Sequence, residues 1–169
     1  MHDNGTTHEK ITADILEIND EVEALCGKLK ETLVIVTADH GLVDTSWLFI
    51  TDYPDIVECL LRMPSIEARA LTFSVKEDMK EQFEKSFNSH FSDYYILYSK
   101  EQVLEKELFG SGTINPRSTG FIGDYLAVAF GDISIECSLS SNREVFKAAH
   151  AGMTEDEMCV PLIIIDCTK

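Results

Sequence analysis

Basic residues are scarce in this sequence: 14 lysines and arginines stand against 30 aspartates and glutamates, for a formal net charge of -16 at pH 7. Nucleic acid and anionic membrane both require a basic footprint, so neither is expected as a partner. No run of 18 apolar residues and no signal peptide is present, which predicts a soluble piece. Cys-x-x-Cys pairs are missing too. Cys26, Cys59, Cys137, Cys159 and Cys167 are odd in number and widely spaced, and several lie in apolar stretches. They read as buried free thiols of a cytoplasmic protein. No internal repeat or low-complexity tract is visible. What remains is ordinary: 169 residues, 44% hydrophobic and 26% charged, suit one domain with room for a small insertion. The opening Met1-His2-Asp3 has no lead-in, as expected of a chain cut from something longer.

Apolar residues recur at steps of three and four from Thr7 to Lys30 (Ile11, Ile15, Ile18, Val22, Leu25, Leu29), which predicts a helix with an acidic opposite face. Leu33-Val34-Ile35-Val36 follows, a short apolar run, β-branched in three of four places, that suits a strand buried on both faces of a parallel sheet. A helix is expected near Pro54 to Met63, closed by Pro64. Ala70–Val75 and Tyr94–Tyr98 read as strands; Lys76–Phe91, with Met79, Phe83 and Phe87 four apart, and Glu101–Phe109 read as helices. In the first of these helices Glu77, Asp78, Glu81 and Glu84 interleave with Lys76, Lys80 and Lys85, a solvated face, so acidity by itself does not diagnose metal binding. Gly110 to Gly120 is loop. Tyr125–Phe130 and Ile133–Cys137 read as a hairpin turning at Gly131-Asp132, and Val160–Ile165 as a last strand.

Thr37-Ala38-Asp39-His40-Gly41 ends the first strand and sets a carboxylate and an imidazole side by side at a sheet edge, where α/β proteins keep their sites. Gly41 permits a sharp turn there. A mixed nitrogen and oxygen donor set suits zinc or manganese better than calcium. The competing reading makes Asp39 a turn cap and His40 merely exposed. His150 opens His-Ala-Gly-Met-Thr-Glu-Asp-Glu-Met-Cys-Val-Pro-Leu, in which Thr154 and Glu157 have capping-box spacing. His2 taken singly is a terminal residue or a tag remnant. His90 reads as a helix-end histidine, and Arg117 as a phosphate contact or a solvated side chain.

Taken together, Asp39-His40 and His150-Ala151-Gly152, each beside an apolar strand, resemble the alkaline phosphatase superfamily and, within it, the type I phosphodiesterase and nucleotide pyrophosphatase branch. There a Thr-Ala-Asp-His-Gly segment ends one strand and a His-Gly-Gly-like segment precedes a Val-Pro-Leu strand; Ala151 departs from the usual glycine. Met1-His2-Asp3-Asn4-Gly5 matches the tail of the family's Pro-Asp-x-x-Met-His-x-x-Gly, which makes His2 a ligand, with His8 as runner-up. The resemblance implies that Asp39 and His40 bind one metal and His2 and His150 the other. It also implies that an early aspartate ligand and a Thr or Ser nucleophile lie upstream. Neither Thr37, inside the ligand motif, nor Thr45 substitutes for that nucleophile.

The implied fold is α/β, a partial alkaline-phosphatase-like sheet interrupted by a small α+β cap. Residues 1–65 and 113–169 form core segments, and residues 66–112 the inserted cap. The implied protein is the C-terminal part of a two-metal phosphohydrolase, a phosphodiesterase or nucleotide pyrophosphatase, inactive without its other half. Its cofactors are two divalent cations, zinc or else manganese, and its substrate a small phosphoester such as a nucleotide. The alternatives are a sulfatase or phosphomutase of the same superfamily, or a non-catalytic acidic binding module that self-associates through exposed sheet edges.

Overall fold

The computed structural model describes residues 1–139 and 145–168. In chain order the elements are α1 (Glu9–Cys26), β1 (Leu33–Thr37), β2 (Val43–Asp44), β3 (Ser46–Phe49), α2 (Pro54–Val57), β4 (Leu60–Glu67), β5 (Ala70–Val75), α3 (Lys80–Phe91), β6 (Tyr95–Ser99), α4 (Lys100–Glu105), β7 (Tyr125–Ala129), β8 (Ile133–Glu136), β9 (Ala148–Ala149), α5 (Glu155–Met158) and β10 (Leu162–Asp166). The mixed α/β class is as the sequence predicts, with open sheets.

The best-packed part is a four-stranded antiparallel sheet in the order β4-β5-β7-β6. Every residue of β7 is buried, because a helix covers each face of this strand. On one face Tyr125, Ala127 and Ala129 meet the α3 stripe Phe83, Phe87 and Phe91, one helical face at i, i+4 and i+8. On the other, Leu126 and Val128 meet Val103 of α4 and Ile122. Residue alternation with period two sorts the side chains between the two layers. Phe73 of β5 lies 5.0 Å from Phe83 and 5.4 Å from Phe87 between ring centroids, favourable edge and offset geometries. The sheet takes strands from both sides of the sequence boundaries at 65/66 and 112/113, so residues 60–65 and 125–129 pack with the expected cap.

Several expectations are corrected. The strand covered on both faces is β7, whereas β1, among the described residues, pairs only with β10, antiparallel from Leu33↔Asp166 to Thr37↔Leu162. In that ribbon Leu33, Ile35, Leu162, Ile163 and Ile164 are exposed. An apolar run reports a demand for cover, and here no described element meets it. The same holds for α1, which forms where the periodicity puts it but buries only Ile11, leaving Ile15, Ile18 and Leu25 exposed.

The helix expected at Pro54–Met63 is a single turn, α2, and the chain then extends into β4. Pro64 is accommodated because β4 is an edge strand whose register shifts between Arg62 and Ser65, so the missing N–H costs no ladder bond. The expected hairpin at Gly131-Asp132 does not form: β8 leaves β7 and pairs in parallel with β3. Phe130 N and Gly131 N instead donate to Tyr94 O, and Ser46 N donates to Asp132 O. All five cysteines are free, but only Cys59 is buried; Cys159 is exposed and the others are half-buried. No described helix is long and apolar enough to cross a membrane.

Candidate metal centre

A two-pair ladder joins the expected ligand loops. Strand β2 begins two residues after Gly41 and β9 ends at the residue before His150, and they pair antiparallel as Val43↔Ala149 and Asp44↔Ala148. Continuing that register sets the turn after β1 beside His150. The rings of His40 and His150 are stacked, with centroids 3.7 Å apart and planes 14° apart. His2 joins them from the first turn of the chain, its ring 5.5 Å from that of His150 at 63°. The backbone carbonyl of His2 accepts from Lys147 N and Ala148 N, which ties the N-terminal segment to the His150 strand.

Two of the three rings are held in a defined tautomer. Nδ1–H of His2 donates to Ala148 O at 2.8 Å, and Nδ1–H of His40 donates to Gly41 O at 2.8 Å. A carbonyl can only accept, so in both rings Nδ1 carries a proton, and in the neutral ring the lone pair is on Nε2. Metal-binding histidines commonly show this arrangement. Burial, and then the neighbouring imidazoles of His40 and His2, lower the pKa of His150, with Glu67 opposing, so this ring stays neutral below the usual histidine range.

Asp39 is exposed. Its Oδ1 accepts from His40 N at 3.1 Å, the local cap expected of an aspartate in a turn. Its Oδ2 lies 3.7 Å from His40 Nε2. Two ligand atoms sharing one tetrahedral zinc lie about 3.3–3.5 Å apart. The carboxylate and imidazole of Asp39 and His40 thus stand close to the separation of two ligand atoms on one cation. Among the described residues, no group of three or more His, Cys, Asp or Glu side chains is arranged to hold an ion.

The other candidates lie elsewhere. The His8 ring accepts from Lys10 N as the N-cap of α1, and His90 in the last turn of α3 meets Asp55 Oδ2 at 3.0 Å. Thr45 Oγ1 is within hydrogen-bond reach of Asp132 O and Ser134 Oγ, and Thr37 Oγ1 donates to Ala38 O. Arg117 is exposed in the linker. A cleft of about 610 Å³ opens beside His2 and His150, walled by Trp47, Phe146, Leu71 and Ile135 with Glu67 and Glu136 on its rim.

Ala151 adopts a φ of +85°, the left-handed region that costs a side chain about 1–2 kcal/mol. That is the physical reason glycine suits this position. Gly41 answers a different demand. A Cβ there would sit 1.8 Å from Asp156 O, while its N–H donates to Glu157 O at 2.9 Å. Gly41→Ala is expected to push the His40 turn off α5, to cost about 1–3 kcal/mol as an overpacking change, and to abolish the contact between the two histidine rings. Urea unfolding with aromatic NOE spectra checks both effects, and an intact ring contact in a stable variant contradicts them.

Sequence reading missed the group beneath these loops. Arg69, in the β4–β5 turn, and Glu157, in α5, form a fully buried ion pair, Nε to Oε1 at 2.6 Å. Half of this was visible as the Thr154–Glu157 capping box. Nothing in the sequence marks Arg69 as buried.

No family model matches the sequence, and no curated protein matches it. Solved structures do match. Human ectonucleotide pyrophosphatase/phosphodiesterase 5 aligns over 96% of this chain and 43% of its own, at 16% identity and a TM-score of 0.68. The murine protein aligns over the same shares at 16% identity and a TM-score of 0.71, and an inactive form of it has been solved in complex with AMP. Phosphonoacetate hydrolase from Sinorhizobium meliloti 1021, in complex with phosphonoformate, aligns over 95% of this chain and 42% of its own, at 15% identity and a TM-score of 0.65. The chain thus spans less than half the length of these structures. At such identities the likeness defines the fold. This chain shares the fold of these phosphodiesterase and phosphonoacetate hydrolase structures over the part that it spans.

Proposed function

We propose that this chain carries the metal-binding loops of a two-metal phosphohydrolase, of the phosphodiesterase or nucleotide pyrophosphatase kind. The observation that carries the reading is the convergence of His2, His40 and His150, from three distant segments, with Nδ1–H of His2 and His40 held by carbonyls and Nε2 left available. In this reading Asp39 and His40 hold one divalent cation, and His2 and His150 the other, zinc being favoured by the nitrogen-rich set and manganese second. Bound cations supply positive charge for a phosphate anion and for the charge that develops in its transfer. A chain of net charge -16 needs that reversal.

The chain's own groups do the positioning. The two carbonyls orient His2 and His40, and desolvation favours the neutral form of His150. The cleft walled by Trp47 and Phe146 takes the organic part of a small phosphoester, a nucleotide being of suitable size. In this reading the nucleophile and the remaining ligands come from the part of the fold that these residues do not span.

Isothermal titration with zinc chloride near neutral pH tests the reading. His40→Ala and His150→Ala are each expected to lose about tenfold or more in affinity. Equal affinity in native protein and His40→Ala removes His40 from the ligands. A second reading, a non-catalytic acidic module that self-associates, is favoured by the open apolar faces of α1 and the β1–β10 ribbon. It predicts a stable dimer with no zinc binding.

A further inference from the structure

The two-pair β2–β9 ladder is too short to fix one histidine loop against the other, and both loops lean on Glu157. Its backbone carbonyl accepts from Gly41 N, the residue after His40. Its carboxylate accepts from Gly152 N at 2.8 Å through Oε1, two residues after His150, and from Thr154 Oγ1 at 2.6 Å through Oε2. Arg69 holds that carboxylate with two prongs, Nε to Oε1 at 2.6 Å and Nη2 to Oε2 at 2.9 Å. Arg69 Nη1 also donates to Ile133 O at 3.0 Å and Nη2 to Gly131 O at 2.7 Å. Arg69 is 0% exposed and Glu157 3%.

Taking two charges out of water is costly, and apolar side chains can fill the same volume without that cost. An apolar pair cannot accept the N–H of Gly152 or dictate the direction from which Glu157 is approached. Packing agrees: a Cβ on Gly152 would stand 2.7 Å from Glu157 Oε2 and 2.8 Å from Ala129 O, so the His150 loop is pressed directly onto the carboxylate. Arg69 belongs to the four-stranded sheet unit through the β4–β5 turn, and its guanidinium also grips the segment leading into β8. It therefore refers both loops to the rigid part of the molecule.

We propose that Arg69 and Glu157 are positioning residues, a buried clamp that sets His40 and His150 in register for metal binding. This rests on the metal reading above and adds to it a specific cause for the register. Supporting groups of this kind change metal affinity by about 10–100-fold when removed.

The test is Arg69→Met with Glu157→Leu, which removes both charges and keeps the volume, measured beside the native chain. Three quantities are read: the urea midpoint, the NOE between the His40 and His150 rings, and affinity for zinc chloride. The expected result is a midpoint above that of Arg69→Met alone, loss of the ring NOE, and an affinity lower by about tenfold or more. A folded double variant with native ring NOE and native zinc affinity overturns the proposal. Should the double variant not fold, Arg69→Lys decides, since lysine keeps the charge but lacks the planar fork. A folded Arg69→Lys chain with weakened ring NOE supports the clamp, and an unchanged one overturns it. If the native chain binds no zinc, the metal reading fails while the ring NOE still decides the clamp.

Discussion

Replacing Arg69 alone with methionine is expected to cost about 3–5 kcal/mol of folding stability, because it strands the Glu157 carboxylate inside the protein without its cation. The native arrangement satisfies every atom of the pair: among the described residues, no buried side-chain nitrogen or oxygen lacks a hydrogen-bond partner. The effect carries a pH signature. Burial works against the Glu157 carboxylate, but the Arg69 guanidinium, the Thr154 hydroxyl and Gly152 N–H outweigh it and hold its pKa below the ordinary 4.5. A lowered folded-state pKa contributes stability that is fully present above the ordinary value and is lost as the pH falls through the folded one. In Arg69→Met the cation is gone and burial dominates, so the carboxylate protonates at higher pH. The gap between variant and native chain is therefore widest near neutrality and narrows in acid. Urea midpoints across that range check the claim; a loss under about 1 kcal/mol, or one that does not vary with pH, contradicts it.

Phe87→Ala is expected to be as damaging, at about 3–5 kcal/mol, because it empties the centre of the α3 face. Phe87 is 0% exposed and lies among Phe73, Phe83, Phe91 and Tyr95, with ring centroids 5.1 to 6.3 Å away. None of these rings can close the gap without leaving its own neighbours. Ile35→Ala, by contrast, changes a residue of similar hydrophobicity that is 57% exposed in the β1–β10 ribbon, and a shift within about 0.5 kcal/mol is expected. Thermal or urea unfolding of the two variants side by side separates the real core from the apolar segments that lack cover. Similar losses in both would mean that the ribbon is packed after all.

Periodicity made α1 and α3 legible, since amphipathic spacing is local information. The same locality explains the failures. Leu33–Val36 and Tyr125–Ala129 are both continuous apolar runs, yet only the second is covered on both faces, and cover is decided by α3 and α4, which the run itself does not contain. Pro64 reads as a terminator because a proline breaks helices and central strands; at the irregular edge strand β4 it breaks neither. Gly131-Asp132 has turn composition, but Tyr94 O captures the N–H of Phe130 and Gly131 and sends β8 to β3.

The ligand loops were legible for another reason. Asp39-His40-Gly41 and His150-Ala151-Gly152 are compact motifs whose residues lie within a turn of each other, and the resemblance carried by them anticipated the fold. The clamp beneath them was not legible. Arg69 and Glu157 are 88 residues apart, and each carries a charge that usually marks a surface. Thr154 and Glu157 looked like a complete local capping device, which left no reason to seek a distant partner.

The most direct test of the metal centre is a nitrogen NMR titration of the five histidine rings with zinc chloride. The account predicts that Nε2 of His2, His40 and His150 shifts on binding, that Nδ1 of His2 and His40 remains protonated, and that His8 and His90 are unaffected. Shifts confined to His8 or His90, or none at any ring, would contradict it.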